Sequence, residues 1–187
     1  MLRPMLPCGM MEATIDKGRK MEGAEKKLKV YCETSFWSYL TGRPTPLAHI
    51  ALKQASSLAW WESESPKCDI CISEHVLKEA MDGDIEKSKE RLAAFAGCNM
   101  LDGSTAEVDA LAKALLQAHA VPIDEVTDAY HIATAAVYGM DVLLTWNCRH
   151  MANRFALPKT IAVVSGAGYA CPAIVTPDDY IKEDLDA

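Results

Sequence analysis

An α/β domain with a central parallel sheet of about five strands, covered by helices on both faces, is the fold this 187-residue sequence predicts. Short β-rich apolar runs alternate with longer segments whose apolar residues recur at helical spacing, and strands joined through helices pair in parallel. Runs such as LKVYCE, CDICIS and DVLLTW have the near-continuous apolar character of strands buried on both faces. The composition, 50% hydrophobic and 24% charged, is that of an ordinary globular protein, and the length suits one domain with short tails. A domain of this size buries about 70% of its unfolded surface and needs no covalent staples.

The elements follow in order. Residues 1–28 combine Gly, Pro, Lys and Glu without apolar periodicity and read as a flexible tail, with Met10, Met11 and Met21 as alternative starts. The folded domain is expected over 29–180, with an acidic tail over 181–187. LKVYCE (28–33) is the first strand and runs into a helix start or turn at Thr34-Ser35. A loop over 42–46, rich in Gly and Pro, precedes a helix over about 47–62. CDICIS (68–73) is the second strand. A short helix over 74–81 ends at Asp82-Gly83-Asp84, and Asp84 caps another to about residue 96. CNML (98–101) is the third strand. Ser104-Thr-Ala-Glu107 is a capping box that opens a helix to about residue 119. Pro122 breaks the chain, and a helix over about 124–138 stops at Gly139. DVLLTW (141–146) is the fourth strand, 148–155 a short helix and TIAVVS (160–165) the fifth strand. The stretch 173–179 leads into a small terminal helix.

In open α/β sheets chemistry collects beyond the carboxyl ends of the strands. There the first strand delivers Glu33, Thr34 and Ser35, and the second leads into a helix carrying Glu74 and Glu79. The helix before the fourth strand carries Asp128 and His131 one turn apart, and the fourth strand exits through Thr145, Trp146 and Asn147. Carboxylates gathered in one place repel unless a cation neutralises them, and oxygen ligands of this kind suit Mg²⁺ or Mn²⁺. Each residue alone has an ordinary structural role. Ser35 would cap a helix, Glu33 and Glu79 would be solvated charges, and Asp128 would complement a helix dipole. Asn147 would cap the next turn and His131 would be a buried core residue. Only their joint placement at strand exits points to a site.

Other chemistries lack their motifs. Cys68-x-x-Cys71 has no second pair, no H-E-x-x-H is present, and Gly166-Ala-Gly168 lacks the strand–helix context of a phosphate loop. An aspartyl-phosphate phosphatase needs D-x-D after strand one, where this chain has Glu33-Thr34-Ser35. Trp60-Trp61 reads as a core or dimer contact. The longest apolar-rich run, 131–146, is broken by Asp141, so no membrane span is expected, and the N-terminus has no continuous apolar segment of a signal peptide. Seven unevenly spaced cysteines then suggest reduced thiols in a cytoplasmic protein.

The formal charge of −7 is uneven: residues 1–30 hold 7 basic and 4 acidic residues, and 31–187 hold 12 and 22. An acidic body argues against bulk attraction to a nucleic acid. Much of the excess lies in 178–187, with five acids and one Lys, and in Glu33, Glu79 and Asp128, whose charge a divalent ion would offset. Arg149, Arg154 and Lys159, after the fourth strand, and the basic first 30 residues are the candidate positive surfaces.

VYCETSFWSYL (30–40), ISEHVLKEA (72–80), DAYHIATAA (128–136) and LLTWN (143–147), in this order and spacing, resemble the PIN-domain family and within it the VapC-type toxin ribonucleases. The resemblance covers about 29–180. It implies a three-layer α/β/α domain and an Mg²⁺- or Mn²⁺-dependent ribonuclease site with Glu33, Glu79 and Asp128 as catalytic carboxylates and metal ligands. Asn147 stands where many members carry a fourth acid, and its carboxamide oxygen is expected to join the metal ligands. Thr34, Ser35 and Thr145 fall where the family has small hydroxyl residues near the metal and substrate, and Arg149, His150 and Asn153 are expected beside RNA phosphates. The implied partners are RNA, a small antitoxin protein that blocks the acidic site, and a second copy in a homodimer. Two departures stand out. The family's first acid is usually Asp, and Glu33 reaches about 1.5 Å further; Asn147 carries no charge. A non-catalytic module that binds RNA or a protein through the same fold is the alternative.

Overall fold

The computed structural model describes residues 26–82 and 85–185, so most of the expected N-terminal tail and the Asp84 cap lie outside the described residues. Five strands form one sheet: β1 (Leu28–Cys32), β2 (Cys68–Ser73), β3 (Asn99–Leu101), β4 (Val142–Leu144) and β5 (Ala173–Val175). All pairings are parallel, in the order β3-β2-β1-β4-β5. The helices of the described residues are α1 (Thr34–Leu40), α2 (Ala48–Ser63), α3 (Glu74–Met81), α4 (Ile85–Ala94), α5 (Ala106–Gln117), α6 (Val126–Val137), α7 (Leu157–Gly166) and α8 (Pro177–Leu185). Helices α1, α2 and α8 pack together, and α5 packs with α6 and α7. The chain leaves β1 toward β2 and β3 and returns to β4 on the other side. The strand order therefore reverses between β1 and β4, the place where open α/β sheets bind ligands.

An aromatic cluster seats α1 on the sheet. Trp37 is fully buried, meets Phe36, Trp61 and Phe95 at ring-centroid distances of 5.4, 5.3 and 4.9 Å, and donates from its indole to the Cys32 carbonyl at 3.1 Å. Phe36 packs edge to face on Trp60, which meets Tyr180 of α8. The direction of α1 at the end of β1 is thus set by apolar burial.

Two expected elements differ. TIAVVS (160–165) lies in helix α7, and the fifth strand is β5 at 173–175. Thr160 and Val164 are buried while Ile161 is exposed, a four-residue period that a six-residue apolar run does not reveal in sequence. Pro158 in the first turn of α7 suits a helix start. The expected helix over 148–155 is a series of turns. Asn147 and Asn153 bond their own downstream backbone there, Oδ1 of each accepting from His150 N and Phe155 N at 3.0 Å, which competes with a helical ladder. At the C-terminus α8 runs on through residue 180 to Leu185.

Candidate metal centre

Glu33 is the first residue after β1 and the N-cap of α1. Its backbone is extended, and Oε1 accepts from Ser35 N at 3.0 Å. Asp, Asn, Ser and Thr are the usual caps; here the extra methylene lets the carboxylate fold back on its own helix. Oε2 accepts from Ser35 Oγ and from Thr145 Oγ1, the latter at 2.7 Å and just beyond β4. Three donors thus hold a carboxylate that is only 6% exposed.

Glu79, in the last turn of α3, meets the same place from the side of β2. Its Oε2 accepts from Thr34 Oγ1 and pairs with His131 Nε2 at 3.0 Å. His131, on α6, is fully buried, and its Nδ1 lies 2.8 Å from Tyr31 OH, which lies 2.7 Å from Ser73 Oγ. A ligand atom from each of Glu33, Glu79 and His131 lies within 4.8 Å of the other two. A second group of the same compactness joins Glu125, Asp128 and His150. Asp128 Oδ2 accepts from Asn147 Nδ2 at 2.8 Å and lies 3.1 Å from His150 Nδ1, which is 3.4 Å from Glu125 Oε1. Glu125, Asp128 and His131 follow one another at three-residue spacing at the start of α6, so one helix serves both groups.

Charge and burial oppose each other here. Burial pushes the Glu33 carboxyl above its ordinary range, against the His131 charge and the Ser35 and Thr145 hydroxyls. Burial likewise raises Asp128, against its bonds from Asn147 and His150. Burial would also raise Glu79, but the His131 and Thr34 hydrogen bonds and the His131 charge outweigh it, and its carboxyl falls below the ordinary value. For His131 burial favours the neutral ring, yet the bond to Glu79 and the charges of Glu33, Glu79 and Asp128 prevail and raise it.

The donor set fits a hard divalent cation. Among the described residues, Glu79 Oε1 and Asp128 Oδ1 accept no hydrogen bond, so each carboxylate keeps an oxygen for an ion. Carboxylate oxygens are the ligands of Mg²⁺ and Mn²⁺, and an imidazole in each group is compatible with Mn²⁺.

The structure brings Glu33 and Glu79 into one group and puts Asp128 in the adjacent one. Thr34, Ser35 and Thr145 hold the carboxylates themselves. Asn147 engages both of its polar atoms within the chain, Nδ2 on Asp128 and Oδ1 on His150 N, so it orients Asp128. His150 is drawn into the second group, while Arg149, Arg154 and Lys159 are exposed. Tyr31, Ser73, Glu125 and His131 join these groups without a motif that marks them. Spacing is the available signal: Glu125 precedes Asp128 by three residues and His131 follows it by three, on one helix face.

No protein-family model and no curated protein matches the chain. Solved structures match its fold. VapC20 from Mycobacterium tuberculosis, described as a Sarcin-Ricin loop cleaving toxin, superposes with a TM-score of 0.50 at 18% identity, covering 75% of this chain and 96% of that one. VapBC2 from Rickettsia felis, bound to a DNA fragment from its promoter, gives 0.53 at 14% identity, covering 80% and 98%. The chain shares the fold of these VapC structures. DNA-bound VapBC from Salmonella typhimurium matches with a TM-score of 0.51, also at 14% identity, over 80% of this chain and 98% of that one. In this fold the two acidic groups lie at the exits of β1 and β4, where the strand order reverses. Within the described residues, no helix is long and apolar enough to cross a membrane.

Proposed function

We propose that this PIN domain is a divalent-metal-dependent endoribonuclease and the toxin of a VapBC-type toxin–antitoxin pair. The observation that carries the reading is the pairing of Glu33 and Glu79 at the strand-order reversal, with Asp128 in the adjoining group and oxygens of Glu79 and Asp128 left open to a ligand. Glu33, Glu79 and Asp128 would hold Mg²⁺ or Mn²⁺, which supplies charge stabilisation to a phosphodiester and lowers the pKa of water. The chain's own groups fix the geometry. Thr34 and His131 hold Glu79 by Oε2 and leave Oε1 open, either to the ion or, as one of two candidate bases with Asp128, to a proton from the attacking water. Asn147 and His150 do the same for Asp128 and leave Oδ1. The VapBC neighbours support an antitoxin as partner; in this reading it is small and presents Arg or Lys to these carboxylates, and the toxin forms a homodimer.

The direct test is cleavage of RNA with Mn²⁺, with EDTA, and by Asp128→Asn. Chelation is expected to stop cleavage and Asp128→Asn to slow it about 100-fold or more, since a metal site is worth several kcal/mol. Equal cleavage in all three removes the reading. Titration of Mn²⁺ into the protein separates the alternative, since absence of binding at millimolar metal would favour a non-catalytic binding module.

Metal binding should also depend on pH. Glu33, Asp128 and His131 have folded pKa values above their ordinary 4.5, 3.8 and 6.5. Their stabilising contribution is complete below those values and is lost as pH rises through the raised ones. Glu79, lowered, works in the opposite sense and only at acid pH. A cation needs the deprotonated carboxylates, so the rise in melting temperature caused by Mn²⁺ should be larger at pH 7.5 than at about pH 5. Thermal melts at both values check this, and a larger rise at the lower pH contradicts it.

A further inference from the structure

Beside the acidic site, one cation is held in an aromatic seat. Lys53 of α2 places its ammonium 5.0 Å from the ring centroid of Tyr39 and 5.1 Å from that of Trp146. The two rings meet edge to face at 5.9 Å. Trp146 is fixed at both ends. Its indole Nε1 donates to Ser57 Oγ at 2.8 Å, and its backbone N donates to Ser35 Oγ, also at 2.8 Å. Ser35 Oγ in turn donates to Glu33, and Ser57 Oγ donates to the Lys53 carbonyl at 2.8 Å. The seat of Lys53 is therefore tied to the first carboxylate by two successive hydrogen bonds and locked to α2 on its other side.

Other lysines are matched with acids: Lys67 with Glu64, Lys89 with Glu86 and Lys113 with Asp109. Lys53 has no ion pair among the described residues. Aromatic faces attract a cation without neutralising it, so Lys53 keeps a full charge to offer an anion and loses little freedom when one arrives. The substrate of the proposed reaction is a polyanion that must approach Glu33, Glu79, Glu125 and Asp128, and it needs a fixed positive group close to them. A cation on aromatic rings is also the combination with which grooves for single-stranded nucleic acid hold the backbone.

We propose that Lys53, seated on Tyr39 and Trp146, binds a backbone phosphate of single-stranded RNA next to the phosphate that is cleaved. This rests on the ribonuclease reading, and the experiment separates the two. A fluorescent single-stranded RNA of ten nucleotides is titrated by anisotropy with Mn²⁺, over 50–200 mM NaCl, in an Asp128→Asn background to suppress cleavage. Adding Lys53→Gln is expected to weaken binding about fivefold at 50 mM salt and to lower the slope of log K against log salt by about 0.7, the loss of one phosphate contact. Lys53→Arg, which keeps the charge and stacks on aromatic rings, should retain most of the affinity. Lys53→Met keeps the alkyl stem on the rings and replaces the Gln variant if that one melts early. Unchanged affinity and slope in the neutral variants, or an equal loss in Lys53→Arg, overturns the Lys53 subsite while the parent still binds. A parent that binds no RNA overturns the ribonuclease reading and the subsite with it.

Discussion

Replacing Glu33 by Gln is expected to lower Mn²⁺-dependent RNA cleavage by about 100- to 1,000-fold while leaving the metal-free protein at least as stable as the parent. The two effects have one origin. Burial disfavours the charged form of Glu33, so a neutral amide of the same shape relieves a cost in the metal-free state. The amide keeps its oxygen for Ser35 N and turns its NH₂ to the Ser35 and Thr145 hydroxyls, which can rotate to accept. What is lost is one of the negative charges that would hold the ion, and several kcal/mol of charge stabilisation with it. The stabilisation of the fold by Mn²⁺ should shrink in parallel. Cleavage assays and thermal melts with and without metal read both effects. Cleavage at the parent rate would remove Glu33 from the site, and a large drop in metal-free stability would mean that its charge, rather than its shape, supports α1.

Trp37→Ala is expected to destabilise the domain by about 3–5 kcal/mol, the range for truncating a fully buried large aromatic residue. Trp37 is closed in by Phe36, Trp61 and Phe95 and bonded to the Cys32 carbonyl, so the gap has rigid walls and an orphaned acceptor. Against a typical total of about 5–15 kcal/mol, this is a large share. The consequence reaches the site, because Trp37 seats the helix whose first residues, Thr34 and Ser35, hold Glu79 and Glu33. Mn²⁺ affinity should therefore fall together with the urea midpoint. A loss under about 1 kcal/mol would show that the cluster closes over the gap.

The segments that carry the candidate site are legible as elements because each is locally coherent. Residues 28–33, 72–80 and 128–136 combine a strand or helix pattern with an acid at a fixed place in it, and local pattern needs no knowledge of the rest of the chain. Helix α7 and strand β5 depart from the sequence expectation because TIAVVS and AIVT are short apolar runs whose period does not distinguish strand from helix. The turns over 148–155 depart from the expected helix because the bonds from Asn147 and Asn153 back to their own chain lie outside an apolar pattern.

His131 marks the boundary most clearly. In sequence it is a histidine one turn after an aspartate, which by itself reads as a buried core residue. Its partners decide the matter: Tyr31 is 100 residues away and Glu79 is 52. Both reach it only because β1 pairs with β2 while α3 and α6 pack together. The same holds for Asn147 and His150, which met Asp128 only when the chain beyond β4 turned back over α6.

The amino-acid sequence by itself determined the alternation of strands and helices, the acids at their ends and the class of ion those acids suit. Those follow from residue type and near-neighbour spacing, which act over a turn or two of chain. Tertiary structure alone decided that Glu33 and Glu79 share a group with His131, that Asp128 sits with Glu125 and His150, and that Lys53 rests on Tyr39 and Trp146. Hydrogen bonds and burial between remote segments exist only once sheet register and helix packing have set the distances, and no local pattern encodes those distances.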